Sequence, residues 1–308
     1  MKYRIPGKAS NLRLLIISVF VLVMTSCEKE VHINLGTSAA KVVIQGAIEN
    51  GKVPYVILTS TISFFSNVDL ATLQNSFLHD AVITVSDGTK TTTLKEYSID
   101  TGANNKVYIY SVDTSGSTGF MTGEIGKFYT LSVIYGGTTY TSVTKIPNPA
   151  GVDTMWFDKP EFVNDKTPAT ARQMFINYTD PDTSGNYVRC FTRRGNQLFY
   201  PSGIFSDEVV NGKVVNKIGI LGGYAASSGT DNRNRDSLVY FFPGETVTLQ
   251  WSSIDKGVYT FWNSVDFAKN AVGNPFSSPI NTISNISNGA VGVWSGYGSV
   301  YVTMVVPN

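Results

Sequence analysis

The stock of side chains suited to covalent or acid–base chemistry is small. Two histidines, His32 and His79, and two cysteines, Cys27 and Cys190, are all the imidazole and thiol in 308 residues. A Ser-His-acid constellation needs a histidine as its base. His32 stands five residues after Cys27 in a polar run, and His79 lies beside Asp80 just before a strand pattern. No G-x-S-x-G elbow accompanies either one, so His79 reads as a strand-edge side chain. Zinc wants clustered His and Cys, which the sequence lacks. Calcium wants several carboxylates in one tight loop. Asp180-Pro181-Asp182-Thr183-Ser184-Gly185-Asn186 comes nearest, but Pro181 interrupts it, and its residues are those that build turns. Thr230–Ser237 (TDNRNRDS) reads as a solvated, charge-paired loop, and the Gly-rich run Gly219–Gly229 lacks the lysine and following helix of a phosphate cradle. The expectation is a protein that is not an enzyme, with no metal and no cofactor.

Aromatic side chains remain. Trp156, Phe157, Trp251, Trp262, Trp294 and Tyr297 all fall in the C-terminal half. Trp294 and Tyr297 are flanked by Gly292, Gly296 and Gly298. Glycines admit close approach, and exposed rings give contact area at low entropy cost. These two are the candidate ligand- or partner-binding residues; the other reading is that Trp294 caps a core and the glycines serve turns. Trp251 and Trp262 are expected to pack together.

The composition narrows the classes. Charged residues make up 15% against roughly a quarter in an average domain, while aromatics reach 12%. A disordered chain would be poor in aromatics. With a net charge of +1 and no basic stripe, nucleic acid is not an expected partner.

The N-terminus carries Lys2, Arg4, Lys8 and Arg13, then the apolar run Leu14–Met24, then Thr25, Ser26 and Cys27. This run of eleven residues, ten of them apolar, is too short to span a bilayer, which takes about 20. A basic start, a short apolar stretch and small residues make a secretory signal. The sequence M-T-S-C resembles a bacterial lipobox. That resemblance implies a diacylglyceryl thioether on Cys27, cleavage after Ser26 and a further acyl chain on the freed amine. Several acyl chains anchor stably where one does not. Removing residues 1–26 leaves 20 basic and 23 acidic residues, a net charge of about −3. Cys190, in the alternating NYVRCFTR, then has no disulfide partner and reads as a small buried hydrophobe. Glu28-Lys29-Glu30 resembles the lysine-plus-acid signal that sorts lipoproteins to the cell surface, with Lys29 and Glu30 as its residues.

Short strands follow the polar tether at residues 27–39. Val42, Ile44 and Ile48 alternate, Asn50-Gly51 turns, and PYVILTST restarts. AVITV runs into Ser86-Asp87-Gly88-Thr89, a hairpin signal paired with TTTLKEY, and KVYIYSV follows. FYTLSVIY, Gly136-Gly137 and TTYTSVTKI form the cleanest hairpin. About seven strands in 40–146, with one possible short helix at Leu70–Phe77, predict a β-sandwich of Ig-like kind. Pro147 and Pro149 make a semi-stiff link. Beyond it, Val152–Phe157, MFINYTD, NYVRCFT, QLFY, KIGIL, DSLVYFF, TVTLQWS and the glycine-containing tail read as strands. Asp255–Asn270 reads as one amphipathic helix, with Val258, Phe261, Trp262 and Val265 at helical spacing.

The segments CEKEV, KVVIQGAIENGKVPYVILTSTISFFS, FLHDAVITVSDG, GEIGKFYTLSVIYGGTTYTSVTKIP, VDTMWF, DPDTSGNYVR and NISNGAVGVWSGYG together resemble an uncharacterised lipoprotein family of the Bacteroidota, catalogued as a domain of unknown function. The resemblance covers nearly the whole mature chain. It implies an outer-membrane lipoprotein of the kind often encoded beside TonB-dependent transporters, and it supplies no catalytic residue.

The expected architecture is mainly β: a leader at 1–26, a lipidated tether at 27–39, an Ig-like β-sandwich at 40–147, and a second sandwich-like module with one helix at 148–308. The expected function is a lipid-anchored outer-membrane accessory or binding lipoprotein facing the cell surface. Its expected partners are the membrane, through acyl chains on Cys27, and a TonB-dependent transporter in nutrient uptake. A structural or adhesive surface module, a polymer hydrolase and a periplasmic-facing anchor stand as the alternatives.

Overall fold

The computed structural model describes residues 39–62, 69–102, 105–115, 119–222, 239–271 and 281–308. The leader, Cys27, Lys29, Glu30, His32, the stretch 230–237 and most of 219–229 lie outside the described residues. The protein is mainly β, with fourteen strands and two helices among the described residues. Residues 40–308 form one compact unit.

Seven strands precede the proline link: β1 (Val42–Glu49), β2 (Tyr55–Ser60), β3 (Val82–Ser86), β4 (Thr91–Gly102), β5 (Asn105–Ser111), β6 (Phe128–Tyr135) and β7 (Thr138–Lys145). A short helix α1 (Leu70–Gln74) stands where the sequence allows one, capped by the Asp69 carboxylate accepting the Thr72 N–H at 2.8 Å. The β3–β4 turn forms because Asp87 Oδ1 accepts from the backbone N–H groups of Thr89 (2.9 Å) and Lys90 (2.7 Å). The β6–β7 hairpin pairs from Phe128↔Lys145 to Tyr135↔Thr138, with both turn glycines at positive φ.

After the link come β8 (Thr154–Asp158), β9 (Gln173–Thr179), β10 (Tyr187–Arg194), β11 (Tyr200–Ser206), β12 (Val214–Ile220), β13 (Thr246–Ile254), α2 (Lys256–Ala271) and β14 (Val291–Val305). Two strand expectations shift. QLFY is mostly loop, with β11 starting at its last residue, because β10 and β11 pair through a bulge at Cys190/Phe191. In DSLVYFF the described part contributes only an isolated bridge, Phe241 to Arg172.

The hydrogen bonding joins both halves. Eleven strands form one sheet in the order β11-β10-β13-β14-β1-β2-β5-β4-β3-β6-β7, and β12-β9-β8 form a second. The join is β14. Its first half pairs parallel with β1, from Val43↔Val291 to Glu49↔Tyr297, and its second half pairs antiparallel with β13, from Ser253↔Gly298 to Thr246↔Val305. The expected division at 147/148 does not separate two sheets, and the first hydrophobic core itself takes in Ile286, Ala290 and Trp294 from beyond it.

Side-chain alternation along β14 explains this. Trp294 enters the first core with Ile44, Ile48, Leu58, Ile83 and Leu131. Val300, Val302 and Met304, of the same parity, pack on the second core, where Met174, Ile176, Val188, Cys190, Leu249 and Trp251 gather. The three-stranded sheet closes that second core in a sandwich-like arrangement. Val293 and Tyr297, of opposite parity, share a third cluster with Val258 and Phe261 of α2. Asp255 starts α2, accepting the Val258 N–H at 2.9 Å through Oδ1 and the Thr144 hydroxyl at 2.5 Å through Oδ2. The helix is thereby fastened to the end of β7.

The proline link crosses the face of β14. A Cβ on Gly296 would lie 2.2 Å from the Lys145 carbonyl oxygen, and one on Gly298 would lie 2.1 Å from that of Pro147. Both neighbours are backbone, so neither can swing aside. Gly296→Ala should therefore cost about 1–3 kcal/mol or more as overpacking. Gly151→Ala, with open space around its Cβ, should change stability by less than about 0.5 kcal/mol. Urea denaturation of the two variants checks the pair; equal midpoints would refute the crossing.

Candidate functional site

The two glycine-flanked aromatics separate to opposite faces of β14. Trp294 is fully buried, and its indole N–H donates to the Tyr129 carbonyl at 2.9 Å. It is a core residue with no surface open to solvent. The flanking Gly296 and Gly298, which suggested exposure, serve instead the backbone crossing. Trp251 and Trp262 also part: Trp251 stacks on Phe205 in the second core, while Trp262 packs edge-on to Phe261.

Tyr297 does border a cavity, of about 450 Å³. The floor is the sheet face opposite the two main cores. β1 supplies Gln45, Ala47 and Glu49, β2 supplies Tyr55, and β14 supplies Val293, Ser295 and Tyr297; Arg189, Phe191 and Gln250 come from β10 and β13. Trp262 and Lys269 reach it from α2, and Phe199 and Pro201 close the β11 end. The floor is continuous only because β1 pairs with β14, so this site belongs to neither half alone.

Arg189 dominates its chemistry. The side chain is 7% exposed, and its guanidinium carbon stands 3.4 Å from the Trp262 ring centroid and 4.8 Å from that of Phe191. Its Nη1 donates to the Tyr297 hydroxyl at 3.1 Å. Among the described residues it has no carboxylate partner. The one acid of the lining, Glu49, is engaged by Lys52 at 3.1 Å, by the Gln250 amide at 3.4 Å and by the Tyr301 hydroxyl. Burial, with the neighbouring Tyr297, pushes Tyr55 up to about 12, although Arg189 pulls the other way. Burial and the Glu49 carboxylate likewise raise Tyr301 well above the ordinary phenol range.

The sequence did not single out Arg189. The available signal was its place in NYVRCFTR, where Tyr187, Arg189, Phe191 and Arg193 share one face of a strand whose other face carries Val188 and Cys190.

The other sequence candidates fill structural places. His79 Nδ1 meets Glu96 at 2.5 Å, and its ring sits edge-on to Tyr108. Asp180 accepts from the Tyr178 hydroxyl (3.1 Å) and the Gly212 N–H (3.1 Å), and Asp207 accepts the N–H groups of Gly185 (2.7 Å) and Asn186 (2.9 Å). These two buried carboxylates tie together the loops 180–186 and 207–213 beside an apolar cavity of about 290 Å³. Among the described residues no group of three or more His, Cys, Asp or Glu side chains could hold a metal ion. No helix among them is long and apolar enough to cross a membrane.

A mainly β chain with a partly open, aromatic-lined cavity that carries a buried arginine is the class the fold and site define. The chain belongs to the family described as Domain of unknown function (DUF4249), whose model matches residues 28–301. No curated protein and no solved structure matches it.

The opposed faces of β14 predict unequal losses. Trp294→Ala should cost about 3–5 kcal/mol and lower the thermal midpoint by several degrees. Tyr297→Phe removes the hydroxyl that accepts from the buried Arg189 guanidinium and should cost about 1.5–3 kcal/mol, less than the loss of the core indole. Calorimetric midpoints separate them, and similar losses would contradict the placement.

Cys190 gives a pH test. It is fully buried, and burial pushes its thiol up to about 12. An unfolded thiol ionises near pH 8.5. Between these values the folded state holds a proton that the unfolded state has lost, so the contribution of Cys190 to stability falls as pH rises past about 8.5. In the Cys27→Ala chain, where Cys190 is the sole thiol, iodoacetamide at about pH 9 should label only after denaturation. Rapid native labelling would refute the burial.

Proposed function

We propose that the protein is a lipid-anchored outer-membrane binding lipoprotein, facing the cell surface, that cooperates with a TonB-dependent transporter in nutrient uptake and performs no catalysis of its own. The observation that carries the reading is the order at the N-terminus: four basic residues, the mainly apolar run Leu14–Met24, Thr25-Ser26 and then Cys27. The family match begins at residue 28, directly after that cysteine, as expected if the conserved body starts where the lipidated end is made. Glu28, Lys29 and Glu30 supply the surface-sorting pattern. The transporter link comes from the resemblance described above. The Arg189 cavity gives the body a place to hold a small ligand.

Two measurements test this. Cys27→Ala should leave the chain unprocessed or release it from the membrane fraction; firm retention of the processed variant after mild washing would overturn the anchor. Detergent-solubilised protein at native expression should co-purify with a β-barrel transporter identified by mass spectrometry. Recovery of the lipoprotein alone would refute the transporter role and favour a structural or adhesive surface module.

A further inference from the structure

We infer that the cavity over β1, β14, β10 and β13 is a binding site for a small carboxylic acid with a flat apolar body, its carboxylate paired with Arg189. The inference rests on the reading of the protein as a binding module, and goes beyond it in naming the site and the ligand class.

The argument begins with what Arg189 lacks. A guanidinium presents five N–H donors in a planar fork. Among the described residues one protein acceptor engages it, the Tyr297 hydroxyl at 3.1 Å on Nη1. A charge that is 7% exposed is expensive unless paired and hydrogen-bonded. The rings of Trp262 and Phe191 offset part of that cost. They also hold the guanidinium fixed, so that little side-chain entropy remains to be lost when an anion arrives. A fold selected for stability alone would place an apolar residue here or supply a carboxylate. This one holds a fixed, buried cation with spare donors at the wall of a cavity.

The walls state what the anion is attached to. Val53, Tyr55, Phe191, Phe199, Trp262 and Val293 give apolar and aromatic surface, and Gln45, Gln250 and Ser295 add polar groups. The volume of about 450 Å³ falls in the lower part of the range of about 300–1,000 Å³ for small-molecule sites. Three of the four charged lining residues are cations, Lys52, Arg189 and Lys269. Glu49 already bonds to Lys52, Gln250 and Tyr301, which leaves Arg189 as the centre in need of a counter-charge. One buried guanidinium matches one negative charge, and its fork matches the two oxygens of a carboxylate. The Arg189 guanidinium lies 3.4 Å over the Trp262 ring, and the aromatic lining favours a flat apolar body in the same cavity.

Isothermal titration calorimetry on the purified chain tests the inference, with indole-3-acetate as the probe, its uncharged amide as the control, and inorganic phosphate as the bare anion. Indole-3-acetate should bind at least about tenfold more tightly than the amide, as a charge-assisted pair requires, and phosphate should bind more weakly than the acid. Arg189→Met should abolish that preference. The thermal midpoint of that variant should hold or rise, because it removes a buried charge that has no ionic partner. A purely structural arginine would lower the midpoint instead and leave the acid–amide ratio unchanged. Equal affinity for acid and amide, tighter binding of phosphate, retention of binding by Arg189→Met, or no heat with the acid at millimolar concentration would each overturn the assignment. The experiment contains neither membrane nor transporter. Its failure therefore leaves the anchor and transporter reading to the fractionation and co-purification results, and their failure leaves this one intact.

Discussion

The parallel pairing of β1 with β14 is the contact on which the rest of the structure depends. Without it the first core would lose Trp294, which only β14 can deliver. The sheet would end in an open strand at β1, with Ile44 and Ile48 on one face and Gln45 and Ala47 on the other. Such an edge is a template for pairing with another chain. The pairing also obliges the proline link to pass over β14, and that passage is possible because Gly296 and Gly298 carry no Cβ. A chain join, a core tryptophan and two glycines are thus one solution to one geometric demand.

The same pairing builds the cavity. Two sandwich-like halves standing side by side would present separate outer faces to solvent. Sharing a sheet makes those faces one surface, and α2 covers part of it. Asp255 fixes where the helix begins by bonding at once to its first turn and to β7. Val258 and Phe261 then bury against the sheet, and Trp262, the next residue along, turns toward Arg189. The placement of a polar, costly side chain follows from apolar packing on either side of it. This is how a fold can hold a charge in a fixed orientation without an ionic partner.

Local order was readable from the sequence; long-range order was not. The β6–β7 hairpin follows from a two-glycine turn between alternating runs. The helix follows from the spacing of Val258, Phe261 and Val265, and its observed limits differ by one residue at each end from those expected. Ile146 lies in the first core and Val152 packs on the second, but Ile286, Ala290 and Trp294 return to the first, so the proline link does not divide the chain into two separate cores. What escaped was the meeting of Val43 with Val291, because strand pairing over so many residues leaves no local signature. Trp294 was misread for the same reason. Glycines beside a tryptophan suggest an exposed ring only if no other backbone runs across them, and the segment Lys145–Pro147 does run across. Arg189 was passed over because a charged residue alternating along a strand ordinarily faces solvent. Here a second layer, α2, lies on that face.

The placement of the site across the join has an energetic consequence. Residues of the cavity come from β1 and β2 on one side and from β10, β13 and α2 on the other, with β14 between them. A molecule held there contacts both halves only when β1 and β14 are paired. Its binding free energy therefore adds to that pairing and stabilises the joined state over any state with the seam open. The long sequence separation makes the pairing slow and costly to form, since the loop must close before the contacts reward it. An anion paired with Arg189 would therefore favour the joined state by the free energy with which it binds.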